Sequence, residues 1–358
     1  MGNAPILTDD LLKAAFDYRR TELWNELDDS DIFAVALSNG QTGYCAVLGN
    51  NARHYGLGLY IGEKGFSTYL RMVEADGLSL EDWQHLAMTF DYINADFEDE
   101  KGEESFLDDD EKTLIRDYAL RKGLIISPDH GWPDFSRLRP GKSPYGIKDP
   151  GEAAWVTEAL KAALEVANKV QSEGTESAGF DHGGEYAGRE GGKPIPLLTP
   201  LADDGYQWSQ IRTPEYVPEA YPNPDYMDDD RLEQLDDIKK KSVWQCRVAY
   251  LSSAIDSEID GVPYFPLTLT IVDKTSGRVP MVPIMMEETI TDDTVILDRF
   301  ADMMIKTEQV PRTIEVSDRR TYLLLEDFCV QEDINLNLVS ETPDLDAVMF
   351  SLEHHMRN

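Results

Sequence analysis

The order of secondary-structure elements in residues 243–340 constrains the fold of this chain more than any other feature. Apolar and alternating segments there predict three strands, then a helix, a strand, a second helix and a last strand. Residues 264–272 are apolar on both faces, which is typical of a central strand. Residues 273–278 then form a turn, and residues 279–286 return antiparallel to the preceding strand.

The boundaries of these elements carry helix start and stop signals. Thr291 and two following aspartates begin one helix, and Pro311 follows its end. Residues 334–338 alternate between apolar and polar side chains, as a half-buried strand does. Thr342 caps the last helix, with Pro343 at the favoured first position. The C-terminal part is therefore predicted to be a mixed sheet with flanking helices.

This order of elements resembles that of ribonuclease H-like domains, in particular the integrase and transposase branch. The resemblance implies an Asp in the first strand that holds a catalytic metal ion. Here that strand contains Trp244, Gln245, Cys246 and Arg247, so Arg247 stands where the Asp is expected. Carboxylates later in the chain match the other positions that the resemblance implies, namely Asp273, Asp318 and Glu353. The last two are 353 − 318 = 35 positions apart.

An arginine in such a site changes its chemistry. Two-metal catalysis needs several carboxylates, because two divalent ions about 4 Å apart must be neutralised. Arg247 adds positive charge at that point, and we expect it to form a salt bridge with Asp318 or Glu353 instead. The four residues Arg247, Asp273, Asp318 and Glu353 are therefore predicted to be a vestigial site in a degenerate, metal-free domain.

The N-terminal part is predicted to be an α+β domain with an antiparallel meander. Residues 7–27 have the spacing of an amphipathic helix. Residues 31–37 and 42–48 form the arms of a hairpin, and residues 56–61 form a third strand. Residues 62–74 return to helical spacing.

Composition shifts set the predicted domain boundaries. Residues 172–193 are rich in Gly, Ser and Glu, which is typical of a flexible linker or loop. We therefore expect an N-terminal domain at residues 1–171 and a C-terminal domain at residues 194–358. The second domain is expected to begin with a hairpin extension formed by residues 194–198 and 206–211.

The segment of residues 96–110 is heavily acidic and is expected to be an exposed loop. The alternative is a divalent-cation site, for which Asp108, Asp109 and Asp110 are the candidate ligands. These three residues lack the alternating spacing and central Gly of a calcium-binding loop, so the pattern favours the loop.

Composition excludes several classes of function. The formal net charge of −35 repels phosphate backbones and anionic lipids, so neither nucleic acid nor a membrane is expected as a partner. No P-loop, G-x-S-x-G or H-E-x-x-H motif is present, and no cofactor is predicted. Three dispersed cysteines and the lack of a signal-peptide pattern lead us to expect a cytoplasmic protein.

A second resemblance covers most of the chain. It is carried by the order of the N-terminal helix, the first strands, Trp132-Pro133 with Phe135, Pro140-Gly141 with Pro144, and the helix of residues 152–170. This order resembles a family of bacterial two-domain proteins of unknown function, in which such a unit precedes a C-terminal domain like this one. The resemblance implies an architecture and no functional residues.

Two functional hypotheses follow. The first is a non-catalytic cytoplasmic interaction or scaffold protein whose partner is another protein. The alternative is a divalent-metal-dependent hydrolase or nuclease with a rebuilt acidic site.

The predicted strand of residues 279–286 contains Pro280 and Pro283, which suit a sheet edge, beside Met281, Met285 and Met286. A partner or second copy could dock on that edge, although the prolines alone can serve to protect it from pairing.

Overall fold

A computed structural model gives the conformation of most of the chain. The residues that it describes are 5–49, 54–75, 78, 80–100, 107–180, 191–202, 205–215, 221, 223–279, 284–286 and 294–356. The chain divides into two compact units. The N-terminal unit contains Met1–Pro140 and Pro144–Pro218, and the C-terminal unit contains Gly141–Ser143 and Glu219–Asn358.

The N-terminal unit combines one large sheet with helices on both of its faces. Its helices are α1 (Asp9–Arg19), α2 (Gly62–Glu74), α3 (Leu80–Ala87), α4 (Asp109–Lys122) and α5 (Pro150–Glu173), with a short 3₁₀ helix at Leu23–Asn25. Its strands are β1 (Phe33–Ala36), β2 (Thr42–Leu48), β3 (Gly56–Ile61), β4 (Tyr92–Glu98), β5 (Trp132–Leu138), β6 (Tyr145–Gly146), β7 (Pro194–Pro200) and β8 (Tyr206–Arg212).

The described strands form an antiparallel meander that is extended at one edge. Their order across the sheet is β6-β5-β4-β3-β2-β1-β7-β8. Every pair from β1 to β6 is antiparallel, whereas β1 and β7 are parallel. The predicted meander of the N-terminal domain is therefore confirmed, and it includes more strands than the sequence indicated.

Helices cover each face of this sheet with apolar side chains. On one face, α1, α4 and α5 pack over residues such as Phe33, Val35 and Ile93, which are fully buried. On the other face, α2 packs over Tyr44 and Tyr60. The helix α5 begins sharply because the Asp149 side chain accepts hydrogen bonds from the first free backbone N–H groups.

The hairpin of β7 and β8 belongs to the N-terminal unit, which corrects its predicted place in the C-terminal domain. Ala34 and Val35 of β1 pair in parallel with Leu197 and Leu198 of β7. Burial of Ile195 and Leu198 against the N-terminal core gives the physical reason for this attachment.

The first part of the predicted linker is packed and regular. The helix α5 continues to Glu173, and Ala178 and Phe180 are buried in the N-terminal core. Residues 181–190 of the predicted linker lie outside the described residues.

The C-terminal unit contains the element order that the sequence predicts. Its strands are β9 (Lys240–Tyr250), β10 (Leu267–Asp273), β11 (Ile284–Met286), β12 (Val310–Val316) and β13 (Asn335–Leu338). Its helices are α6 (Asp229–Asp236), α7 (Thr294–Thr307), α8 (Arg319–Gln331) and α9 (Pro343–Met356).

The topology of this unit is that of a ribonuclease H-like domain. The strand order of the described residues is β11-β10-β9-β12-β13, with β10 antiparallel to both neighbours. The strands β9, β12 and β13 run parallel to one another. Three antiparallel strands followed by two helix-connected parallel strands form the mixed sheet that was predicted, so the fold class is confirmed.

The two faces of the C-terminal sheet differ in chemistry. Trp244, Cys246 and Val248 of β9 face the apolar core, where Phe300 of α7 and Phe328 of α8 pack. The alternate residues of β9, Gln245 and Arg247, lie on the opposite face, because side chains alternate along a strand. The helix α9 packs against β9 and β10.

The proposed docking edge is only partly described. The strand β11 pairs with β10 on one side, which places it at the edge of the described sheet. Pro280, Met281 and Pro283 lie outside the described residues, and so do the side chains of Met285 and Met286. Docking at this edge therefore stays a prediction.

Within the described residues, no helix has the length and apolar character that a membrane crossing requires.

Candidate functional site

Arg247 lies where the resemblance implies a metal-binding carboxylate, and its guanidinium is held by three side chains. Its Nη2 atom donates hydrogen bonds to Ser317 Oγ at 2.8 Å and to Thr342 Oγ1 at 3.2 Å. The same atom lies 2.8 Å from Asp346 Oδ1 in a salt bridge. The Arg247 side chain is only 14% exposed, whereas that of Asp346 is 49% exposed. One cation therefore organises this cluster, which we call the Arg247 cluster (Arg247, Ser317, Thr342 and Asp346).

The parallel strands explain why these residues meet. Gln245 of β9 pairs with Glu315 of β12, so Arg247 and Ser317 lie two positions further along their strands. Thr342 and Asp346 are brought to the same place by the start of α9, where the Asp346 amide donates to the Thr342 carbonyl at 2.9 Å. The hydroxyl oxygens of Ser317 and Thr342 are 3.1 Å apart. The Arg247 cluster thus joins two strands and the first turn of a helix.

A second polar group on the same face supports this arrangement. Gln245 is 1% exposed, and its Oε1 accepts a hydrogen bond from the Leu345 amide at 3.3 Å. Its Nε2 donates to Glu315 at 3.2 Å. Lys274 donates a hydrogen bond to Glu315 at 2.8 Å, and this bond is the main cause that lowers the pKa of Glu315. Gln245 is therefore hydrogen-bonded to the backbone of α9 and to Glu315, and Glu315 is in turn paired with the opposite charge of Lys274.

Asp273 does not converge with the Arg247 cluster. It ends β10 and pairs with Trp244, three positions from Arg247, which corresponds to roughly 10 Å along a strand. Its carboxylate accepts hydrogen bonds from the Thr275 amide at 2.9 Å and the Ser276 hydroxyl at 2.8 Å. Asp273 therefore stabilises the turn that follows β10.

Asp318 is adjacent to the cluster but serves as a helix cap. Its Oδ1 atom accepts a hydrogen bond from the Thr321 amide at 2.7 Å at the start of α8. Its Oδ2 atom is buried and accepts no hydrogen bond from the described residues. Glu353 lies on α9, and its side chain is outside what the structure describes.

The carboxylate in the described salt bridge with Arg247 is Asp346, whereas Asp318 caps α8. The Glu353 side chain lies outside the described residues, so its salt bridge with Arg247 stays a prediction. Glu353 was predicted from the sequence because it lies 35 positions after Asp318. A different signal was available, because the Thr342-Pro343 start of α9 places Asp346 in the first helical turn, where it faces the ends of the parallel strands.

The acidic candidates Asp108, Asp109 and Asp110 lie at the beginning of α4. Asp108 is its N-cap and forms a reciprocal capping box with Glu111, while Asp109 and Asp110 occupy the first turn. Negative charge is favourable there because the N-terminal end of a helix is partially positive. Within the described residues, no group of three or more His, Cys, Asp or Glu side chains is arranged to hold a metal ion.

The N-terminal sheet contains two opposed carboxyl groups, one half-buried and one buried, that were not identified from the sequence. Asp96 of β4 lies directly opposite Asp134 of β5 in the antiparallel register. Asp134 is 5% exposed, and the Oδ1 atom of Asp96 is buried with no hydrogen bond from the described residues. Burial, together with the charges of Asp134 and Glu98, raises the pKa of Asp96 to about 8, although a hydrogen bond with the Asn94 side chain acts in the opposite direction. Asp96 is therefore protonated to a large extent near neutral pH.

Sequence alternation could have revealed this pair. Tyr92, Asn94, Asp96 and Glu98 occur at every second position of β4 and so share one face. The sequence argument instead placed Asp96 at the start of an exposed acidic loop. On the neighbouring strand, Gly56 pairs with Asp96, and a Cβ atom at Gly56 would lie 2.2 Å from the Ala95 carbonyl oxygen. A glycine is therefore required for this close approach of β3 and β4.

Comparisons with known proteins agree with two domains of unknown function. Residues 9–186 match a family model described as a domain of unknown function (DUF7309). Residues 231–353 match a second model described in the same way (DUF6930). The prediction of two domains of unknown function is confirmed. The comparison with curated proteins finds no match.

One solved structure with similarity to this chain is the integrase catalytic core domain of HTLV-2 in complex with magnesium. The identity is 14%, the match covers 32% of this chain and 68% of that chain, and the TM-score is 0.24. A similarity this low says nothing about activity here. The ribonuclease H-like assignment of the C-terminal unit rests on its own strand order.

Proposed function

We propose that this protein is a non-catalytic interaction protein whose C-terminal unit uses a ribonuclease H-like fold as a scaffold. The observation that carries the proposal is the Arg247 cluster. A guanidinium remains charged at every physiological pH, so a permanent positive charge occupies the place where a divalent ion would bind. Asp346 neutralises this charge, which leaves that carboxylate engaged with Arg247.

The partner that we propose is another protein. A formal net charge of −35 disfavours both nucleic acid and anionic membranes, so basic protein surfaces are better suited to this chain. We also propose a cytoplasmic location. Its support is that Cys45, Cys246 and Cys329 are all free and buried, as is usual in a reducing compartment.

Affinity capture and hydrolysis assays together test the proposal. The full-length protein is used to capture partners from its native cells, and the same preparation is assayed with Mg²⁺ and Mn²⁺ on DNA, RNA and a phosphodiester substrate. We expect a protein that co-purifies in stoichiometric amount and no metal-dependent hydrolysis above the buffer rate. Metal-dependent hydrolysis that is lost in Asp318→Asn would overturn the proposal.

The metal-dependent hydrolase stays a second candidate because of one atom. The Oδ2 atom of Asp318 is buried beside the cluster and accepts no hydrogen bond from the described residues. An unsatisfied carboxylate oxygen is a ligand that hard cations prefer. The matched control for the Asp318→Asn assay is Asp273→Asn, which removes a carboxylate whose contacts lie within its own turn.

A further inference from the structure

The strand β8 forms a long edge of the N-terminal sheet. Its seven residues pair with the seven residues of β7 in one continuous register. The other edge strands of the two described sheets are shorter, since β6 has two residues, β11 three and β13 four. Short edge strands limit pairing with other chains, so β8 is the described edge that offers the most backbone to another strand.

The backbone groups of β8 point alternately toward β7 and away from the sheet. Just after β8, the Thr213 amide donates a hydrogen bond to the Lys193 carbonyl at 2.8 Å. Hydrogen bonding alternates along an antiparallel strand, so the odd-numbered residues of β8 bond to β7 and the even-numbered residues face outward. Among the described residues, no partner bonds to the outward amide or carbonyl of Trp208 or Gln210.

A proline in β7 agrees with this assignment, and β8 lacks the features that protect an edge. Pro196 of β7 pairs with Gln210 of β8. A proline has no amide hydrogen, so this pair suits a position at which β7 and β8 exchange no hydrogen bond. Prolines, lysines and bulges commonly prevent pairing at an edge, and β8 has none of them within its seven residues. Its backbone is therefore open to a further strand.

We propose that two copies of this chain pair through their β8 strands, antiparallel and about a two-fold axis at Ser209. In this register, Trp208 of each copy lies opposite Gln210 of the other. Both residues present outward amides and carbonyls, so each of these pairs exchanges two hydrogen bonds. A shift by one residue would set outward groups against residues that already bond to β7. A shift by two residues would leave two residues of each β8 unpaired, so the register about Ser209 uses the strand most fully.

The side chains of β8 are compatible with pairing to themselves. Like charges directly opposite one another destabilise an antiparallel pair. The register about Ser209 produces no such contact, because its opposed pairs are Tyr206 with Arg212, Gln207 with Ile211, Trp208 with Gln210, and Ser209 with its own copy. The same surface therefore serves both partners, as a two-fold interface requires.

The charge of this edge favours a second copy over a basic segment of another protein. The chain has a formal net charge of −35, so two copies repel each other over most of their surfaces. The strand β8 contains no Asp or Glu, and its one charged residue is Arg212. A basic segment added to β8 would meet no carboxylate on this strand, whereas a second β8 meets mainly neutral side chains.

Sedimentation equilibrium of the full-length protein measures this pairing. We expect a reversible dimer to be populated at roughly 100 µM protein, because an interface made by one strand from each copy is small. Salt should strengthen the dimer, since it screens the repulsion between two acidic chains. A protein that stays monomeric at this concentration in both low and high salt overturns the proposal.

Charged substitutions at the exposed Ser209 test the position of the two-fold axis. Ser209→Lys and Ser209→Glu each set like charges opposite one another, so each variant alone should dimerise about fivefold more weakly than the wild type. An equimolar mixture sets opposite charges there and should dimerise at least as well as the wild type. A mixture that dimerises no better than the separate variants contradicts pairing about Ser209.

A second pair of variants separates the backbone of β8 from its side chains. Gln210→Pro removes an outward amide hydrogen and no hydrogen bond to β7, whereas the matched control Gln210→Ala keeps the amide. We expect Gln210→Pro to lose the dimer and Gln210→Ala to keep it, both with the circular dichroism spectrum of the wild type. Equal dimerisation of the two variants overturns the proposal.

Hydrogen exchange of the wild type gives a measurement that does not depend on how a proline is tolerated. Amides in peptides from β8 should exchange more slowly as the protein concentration rises into the range of the dimer, because pairing protects the outward groups. Peptides from β13, an edge strand of the other sheet, are the control and should not change. Exchange in β8 that is independent of concentration while a dimer forms would place the interface elsewhere and contradict the proposal.

Discussion

The two sheets of this protein each place charge in a poorly hydrated position, and they treat that charge in opposite ways. In the C-terminal unit, Arg247 meets a carboxylate and two hydroxyl groups within 3.2 Å. In the N-terminal unit, Asp96 faces a second carboxyl group, and the charges that act on its pKa are those of Asp134 and Glu98. A buried charge beside an opposite charge is stabilised, whereas a carboxyl group beside like charge is more readily protonated.

This difference separates a cluster held by opposite charges from a pair of opposed carboxyl groups. The Arg247 cluster ties β9, β12 and α9 together, which suits a scaffold. On the N-terminal sheet, Asp96 lies opposite Asp134 and its pKa is raised, so negative charge there is removed by protonation. The resemblance to ribonuclease H-like domains directs attention to the C-terminal unit, whereas the Asp side chain with the strongly raised pKa, Asp96, is on the N-terminal sheet.

The largest effect is expected from Arg247→Met. The change removes the cation that Ser317, Thr342 and Asp346 share, and we expect it to destabilise the C-terminal unit by about 3 kcal/mol. Urea denaturation followed by hydrogen exchange in peptides from β9 measures the loss. Arg312→Met, at an exposed position of β12, is the control and should cost less than about 0.5 kcal/mol. Equal losses of stability in the two variants would contradict the role of Arg247 in holding the cluster together.

Asp96→Asn is expected to act in the opposite direction. The pKa of Asp96 is raised in the folded state. Its contribution to the free energy of unfolding is therefore fully present below the unfolded pKa and is lost as the pH rises through about 8. The amide cannot ionise, so the variant should be more stable than the wild type at and above neutral pH, by about 2 kcal/mol for this partly solvated group.

Denaturation of the N-terminal unit at several pH values between 4 and 9 checks the prediction for Asp96. The wild type should lose stability relative to Asp96→Asn across this window. Asp117→Asn on the exposed face of α4 is the control and should track the wild type. A variant that is destabilised at every pH would show that the Asp96 carboxylate is compensated, and the comparison between the two sheets would fail.

The smallest effect is expected from Lys274→Met. Lys274 is 47% exposed, and its bond to Glu315 is therefore screened by solvent, so the cost should be about 0.5 kcal/mol or less. The bond lowers the pKa of Glu315 in the folded state. The stability that this bond contributes is therefore present above the unfolded pKa of Glu315 and is lost as the pH falls through the folded pKa. The difference between wild type and variant should therefore vanish in acid. A difference that persists at low pH would point to lost packing of the lysine stem.

The sequence predicted the elements of the C-terminal unit because their signals are local. The cap at Thr342 and the alternation in residues 334–338 each depend on a few neighbouring residues. The pairing of β7 with β1 was not predictable in this way. It joins Leu197 to Ala34, far apart in sequence, and no local pattern specifies which distant strand a hairpin will meet.

The candidate sites were predicted in part for a similar reason. The resemblance implies that Arg247 stands where a carboxylate is expected, and this prediction depends on one position in one strand. The identity of its partner depends on where α9 crosses the sheet, so Asp346 was missed. The opposition of Asp96 and Asp134 depends on the register of two strands separated by α4, and the acidic composition around Asp96 concealed its place in β4.

Titration of the full-length protein with Mn²⁺ near neutral pH tests most directly whether Arg247 has replaced metal binding in the C-terminal unit. The wild type and the double variant Asp318→Asn/Asp346→Asn are compared by isothermal titration calorimetry. Because Arg247 holds Asp346 and carries a permanent charge at the strand ends, we predict indistinguishable heats for the two proteins. A saturable isotherm in the wild type that disappears in the double variant would contradict the account.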